Sequence, residues 1–442
     1  MKKYFKTVFL ATAVMVSFAS CSNDEIVDNG NDIPEGEKTS FILTIDQPQT
    51  YAVSDDNATD GEKQITSVDV FIFDKNDQLR SHTALTTNDF SETNSQLTST
   101  KKIPTTTGFK RVYVGVNLNK YLVANIKTMG VGATHQLLEK VENNKVTELG
   151  NELDNNGYAM FSKVVQEPTF TLEEAKNLVK VNVERLVAKV VVYEKDDLKK
   201  QLESGDISTI EFAVGNVNTK FFPLPKANYM DPNYIETTTD LADFLKLGYS
   251  DSYYIAANTE GTTIAKEKKW NILENTSKGK RKSQLTYTSI RAKFLPKYFV
   301  RWNSTTKKLE NDTRPGGAVT FHQVKSDKGI YYFTDAGQAT AYGNSCTPEV
   351  APVTFDSGWC YYPVYLNPTG THNSVSKAED KFNVYRNNIY KVVIASIAGP
   401  GISKITDPTD PTEPVDETTN MTVEVTIEPW TLNTQTEDLP SN

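Results

Sequence analysis

Apolar and polar positions alternate with a period of two through most of this chain, the mark of strands that bury one face. The last such stretch is the most regular. Met421, Val423, Val425 and Ile427 alternate with Thr422, Glu424, Thr426 and Glu428. Pro429 then has no N–H to give to a ladder, and past it the apolar phase moves to Trp430 and Leu432. Residues 407–420, just upstream, are rich in Asp, Thr and Pro and hold no large hydrophobe except Val415. Such a linker favours extended polyproline II at ~3.1 Å per residue, a reach of about 40 Å. Two readings of the strand, residues 421–442, stay open: it folds back onto its own domain, or it is offered to a neighbour.

At the other end of the chain, Phe41, Leu43 and Ile45 share one face of a strand. Val68, Val70 and Ile72, interleaved with Asp69 and Phe71, predict the next, which runs into an acidic turn from Asp74 to Asp77. That turn lacks the glycine and the distal glutamate of a calcium loop. Arg111 to Leu118 is a further strand. Leu122 to Asn143 tolerates helix, and Thr171 to Leu178 predicts a short helix capped by Thr171. From Lys180 the order of strand, polar gap and strand repeats, and strand patterns continue at residues 207–224, 283–296, 328–335, 358–367 and 385–397. Many short strands between Gly, Pro, Asn and Asp turns predict an all-β chain with minor helices. Its two sandwich domains are placed at residues 38–178 and 179–406.

The 442-residue length suggests two or three domains, and the 21 Tyr and 20 Phe lean towards strand. A net charge of −9 leaves no basic surplus to neutralise phosphates, which argues against nucleic acid as a partner. Lys2, Lys3 and Lys6 precede a short apolar run, Thr7 to Phe18, and then Ala19, Ser20 and Cys21. Residues 1–20 therefore read as a secretory signal, too short to span a bilayer. Cys21 after small residues resembles a bacterial lipoprotein box, which makes Cys21 the lipidated first residue and residues 21–37 a flexible tether. In an exported chain Cys346 and Cys360 are free to form a disulfide, which their spacing permits and does not require; a loop of that size contributes about 3 kcal/mol when closed.

Chemistry is harder to find. His82, His135, His322 and His372 are scattered, with no zinc spacing, and no nucleophile elbow or phosphate loop is present. No reaction, cofactor or metal is expected. Tyr331 to Phe333 and Trp359 to Tyr362 are aromatic runs that a glycan site uses, and that strands use more often as core.

Several segments together resemble the Bacteroidales major fimbrial subunits, the type V pilins, and most of all the stalk subunit of the short fimbria. They are Val183 to Val192, Ser289 to Lys297, Leu366 to Pro368, Val384 to Ile397 and the tail from Met421, joined by the lipoprotein signal and the acidic residues after Cys21. The resemblance implies two transthyretin-like β-sandwiches in tandem. It implies export as an outer-membrane lipoprotein, and then removal by a maturation protease of the anchored segment with the first strand, Phe41, Leu43 and Ile45. The next subunit's tail would fill the groove, with Met421, Val423, Val425, Ile427, Trp430 and Leu432 as donor residues. Identical subunits then join head to tail in a surface fimbria that supports adhesion, with accessory subunits as further partners. Well-known members are cut after an arginine. Here that position falls near Tyr51 and Ala52, and residues 47–63 hold no arginine, which implies a different protease. The alternatives are a non-polymerising anchor subunit, which fits poorly with so long a tail, and a surface glycan-binding lipoprotein.

Overall fold

A computed structural model of the chain describes residues 24–26, 36–46, 64–93, 96–132, 135–136, 157–233, 244–245, 248, 250–262, 268–276, 281–372, 375–406 and 421–429. The first body is built on β1 (Lys38–Asp46), β2 (Ser67–Phe73), β3 (Leu79–Thr86), β4 (Gln96–Ser99), β5 (Ile103–Thr106), β6 (Arg111–Val116), β7 (Met160–Ser162) and β8 (Leu178–Arg185). Their hydrogen-bonded order is β3-β2-β6-β7-β8-β1-β4, with β5 also on β1. All these pairs are antiparallel except β1 with β8. The alternating residues explain the closure: Phe41, Leu43, Ile45, Val68, Val70, Ile72, Val112, Val114, Val179 and Val181 all point into one core.

The second body stacks two sheets. One contains β9 (Ala188–Glu194), and the other β10 (Gly205–Gly215), β11 (Tyr287–Pro296) and β12 (Trp359–Tyr365). The first sheet adds β13 (Asn388–Ile397), parallel to β9, and at its edge β14 (Met421–Pro429), antiparallel to β13. Val190, Val192, Phe212, Ile290, Phe294, Tyr362, Val392 and Ile394 fill the space between. The fold is thus two tandem β-sandwiches with two α-helices among the described residues, as the strand pattern predicts.

Three expectations change. The strand Leu178–Arg185, assigned from the sequence to the start of the second domain, pairs with β1 and β7 and packs Val179, Val181 and Val183 in the first core. The chain passes over at Leu186 and Val187, and the second body begins at Ala188 rather than 179. The helix expected at Thr171 to Leu178 is only a 3-10 turn, Glu174–Lys176. Asn177 is buried there, its side-chain amide tied to Thr39, to the Ser40 carbonyl and to the Thr171 carbonyl, so the backbone must straighten to reach β1. Where the sequence tolerated helix over Leu122–Asn143, the helix, α1, is Lys120–Met129, starting two residues earlier; the Asn119 side chain accepts from Leu122 N–H at its start. The Asp74 turn is as predicted: its carboxylate accepts from the N–H groups of Asn76 and Gln78 and from Arg80.

Between β11 and β12, which pair directly, the chain inserts a small module. A hairpin (Phe299–Asn303 and Lys308–Asp312), three further strands and helix α2 (Ala336–Ser345) close on Val324, Phe333, Ala339, Tyr342 and Cys346.

Candidate functional site

The first strand is held on both sides. Residues 42–46 of β1 pair with β8, residues 44–46 with β4 on the other edge, and residues 38–41 with β5. Phe41, Leu43 and Ile45 are at most 1% exposed, and Phe41 stacks on Phe170 at 4.8 Å. Buried Ser99 meets the strand too, its hydroxyl accepting from Leu43 N–H at 3.0 Å. On the outer face the hydroxyls of Thr44 and Thr98 lie 3.3 Å apart, and Lys180 Nζ reaches Asp46 at 2.9 Å. Removing such a strand would leave a trench of unpaired backbone and apolar side chains.

Among the described residues the last strand has one partner strand. β14 lies on the edge of its own second body, Met421 opposite Ile397 and Pro429 opposite Asn388. Of the two readings left open by the sequence, this structure has the strand folded back. Met421 is buried, while Val423 and Val425 are half-buried against the second core and Thr422 and Glu424 face out. Ile427 is in the strand, and Trp430, Leu432, Cys21, Tyr51 and Ala52 lie outside the described residues, as do the signal segment and the linker 407–420.

Cys346 and Cys360 do not form the disulfide that their spacing allows. Cys360 is in the main second core, its thiol donating to the Ala292 carbonyl at 3.2 Å, and burial pushes that thiol up. Cys346 belongs to the inserted module and donates to the Tyr342 carbonyl.

The aromatic runs divide between core and surface. Phe333 and Tyr362 are buried, with the Tyr362 hydroxyl donating to the Gly399 carbonyl. Trp359 is half-buried, but the Arg291 guanidinium sits 4.1 Å from its ring centre and Lys293 5.0 Å. Arg291 also covers Tyr254 at 4.0 Å and binds Glu211 and Asp251. Both cations thus lie against the Trp359 ring.

Histidines are spread out. His82 bonds Asp69 at 2.8 Å, His322 bonds Thr354, and His372 stacks on Tyr385 at 3.9 Å. Among the described residues no three His, Cys, Asp or Glu side chains gather as a metal site.

The two bodies meet through a continuous seam that sequence reading missed, because no periodicity marks which faces touch. Phe71, Tyr113, Leu122, Ile126 and Phe161 of the first body pack with Val191, Phe221, Leu273 and Ile389 of the second. Tyr158 donates its hydroxyl across to Asn271 at 3.0 Å. Beside it lies a buried charge cluster. Glu184, on β8, accepts from the Tyr229 hydroxyl at 3.1 Å, and its other oxygen has no hydrogen-bond partner among the described residues. Arg386 is spent on Glu274 and on the carbonyls of Pro223 and Phe222. Burial therefore holds the Glu184 carboxyl up at about 7, against the pull of Arg386. Burial likewise keeps His372 neutral, down at about 4.

Two family models match this chain. That of the major fimbrial subunit protein FimA of P. gingivalis covers residues 39–219, and that of the C-terminal part of the type IV major fimbrial subunit protein, fimbrillin, covers residues 353–436. Together these stretches take in more than half of the chain. No curated protein sequence matches it. Among solved structures, a fimbrilin (FimA) from Porphyromonas gingivalis W83 is 16% identical, with a TM-score of 0.48, over 91% of this chain and 99% of that one. A candidate cell adhesion protein from Parabacteroides distasonis ATCC 8503 is 15% identical over 90% and 100%, with a TM-score of 0.48. One from Bacteroides eggerthii DSM 20697 is 18% identical over 91% and 98%, with a TM-score of 0.46.

Proposed function

The chain belongs to the major fimbrial subunit family, and we propose that it is a stalk subunit exported as a lipoprotein and polymerised by strand exchange. In this reading Cys21 carries the lipid, and a protease cuts the segment near Tyr51 and Ala52. β1 leaves with the anchor, and the last strand of another copy takes its place. The role is structural, not catalytic, and the product is a surface fimbria joined head to tail.

What supports it most is the unequal housing of the two strands. Among the described residues β14 has one ladder, and Val423 and Val425 are half-exposed where it lies. The place of β1 has neighbours on both edges, and its inward residues are almost wholly buried. Moving the tail from the edge into such a trench gains a second ladder and completes burial, at ~1.5–3 kcal/mol for each large side chain brought from full exposure. While β1 is in place, the trench is closed and the tail stays at home. Deleting residues 421–442 tests this: fimbriae should vanish from the cell surface in electron micrographs while the subunit is still exported. Normal fimbriae from the truncated chain would overturn it.

A further inference from the structure

We propose a direction and a register for this exchange: the incoming tail runs parallel to the strand it replaces, with Met421, Val423, Val425 and Ile427 at the positions of Thr39, Phe41, Leu43 and Ile45. The inference rests on the strand-exchange reading above and adds to it which residues meet.

The two strands match in kind. β1 and β14 are nine residues each. Leu43-Thr44-Ile45-Asp46 of the first corresponds to Val425-Thr426-Ile427-Glu428 of the last, apolar for apolar, threonine for threonine and acid for acid. The polar members of this match are the ones with partners in the groove. Thr44 meets the Thr98 hydroxyl on β4, and Asp46 meets Lys180 on β8. Thr426 falls on the first position and Glu428 on the second, so both outer-face contacts are rebuilt. Pro429 then falls at position 47, one residue beyond the last ladder pair, Asp46 with Asn182, where no N–H is asked of it. At the leading end Met421 replaces Thr39, and Asn177 gives up one of its bonds, that to the Thr39 hydroxyl.

Other registers do worse. A parallel strand moved two residues on puts Pro429 inside the ladder at Ile45, and one moved two residues back gives Lys180 a threonine, Thr426. Run in reverse, the same four apolar residues leave Lys180 facing Asn420, or Thr422 in the register two residues along. Of these alignments, only the proposed one returns a carboxylate to Lys180 and keeps the proline outside.

The test is a set of cysteine pairs in fimbriae sheared from cells that make only the altered chain. Residues that face each other across antiparallel strands have Cβ atoms close enough for a disulfide. Thr98→Cys with Thr426→Cys should give a covalent ladder on non-reducing gels after mild oxidation. Thr98→Cys with Glu424→Cys, or with Thr422→Cys, should not. A ladder from either of these, or intact fimbriae with no ladder from any pair, would overturn the register. As a second measurement, Lys180→Glu should cut fimbriation several-fold, and adding Glu428→Lys should restore it; no restoration would count against the alignment. Loss of the register leaves strand exchange standing if the truncated chain lacking 421–442 makes no fimbriae, so the two failures are told apart.

Discussion

Arg386 and Glu274 meet at the floor of the seam between the two bodies as a two-point ion pair, Nε to Oε2 at 2.7 Å and Nη2 to Oε1 at 2.5 Å, with neither side chain more than 1% exposed. Breaking one half of such a pair strands the other charge away from water. Arg386→Met is expected to lower stability by about 3–5 kcal/mol, and Arg386→Met with Glu274→Gln to recover part of that. Urea unfolding of the precursor checks both. A loss under 1 kcal/mol for the single change would mean that water reaches the pair.

Glu184 makes the seam sensitive to pH. Its carboxyl titrates near 7 in the folded chain and near 4.5 in the unfolded one. Protonation thus favours the fold. The contribution is fully present below about pH 4.5 and is lost as pH rises through 7, by on the order of 3 kcal/mol. His372 works the other way: its depressed pKa, about 4 against 6.5, gives stability above pH 6.5 that is lost as pH falls towards 4. Charged groups around the cluster are Arg386, Glu274, Asp231 and Lys163, with Asp380 and Lys377 nearer His372. Glu184→Gln should flatten the fall in melting temperature between about pH 4.5 and 7, the window between its unfolded and folded pKa values. An identical slope in both proteins would show that Glu184 does not titrate there.

Phe41 has opposite consequences before and after assembly. It is buried and stacked on Phe170, so Phe41→Ala should cost the precursor about 3–5 kcal/mol. If assembly replaces β1, fimbriae that do form should resist heat and detergent like the wild type, since their subunits would lack residue 41. Dissociation of the variant fimbriae at a lower temperature would mean that the strand is retained.

Both described cysteines are expected to be reduced. Thiol titration of the mature chain should find Cys346 and Cys360 slow to react when folded and fully reactive in denaturant, and reductant should leave the melting temperature unchanged. A shift of several degrees with reductant would indicate a bridge.

Much of this was legible in the residues. Alternation at Phe41 to Ile45, Val68 to Ile72, Val112 to Val116 and Met421 to Ile427 marked strands that the structure contains, because a half-buried strand needs a period of two. Alternation says nothing of partners. The parallel pairing of β1 with β8, which moves the boundary to Leu186 and Val187, depends on residues more than a hundred positions apart. Val191 and Phe71 belong to strands buried on both faces, and a continuous apolar run does not say which neighbour covers each face. Helix α2 passed unseen, since Ala336 to Ser345 has two glycines and no apolar stripe; its one signal is Asp335, whose carboxylate caps Gln338 N–H. The acids after Thr171 suggested a helix start, but burial of Asn177 outweighed that local preference.

The most direct measurement is the N-terminal residue of subunits in sheared, washed fimbriae, read by intact mass and by sequencing of the first residues. Strand exchange predicts a start between residues 47 and 64, with Phe41, Leu43 and Ile45 absent from every assembled subunit. Fimbriae whose subunits begin at Cys21 and still carry that strand would contradict it, because the place meant for Met421 to Ile427 would never have been vacated.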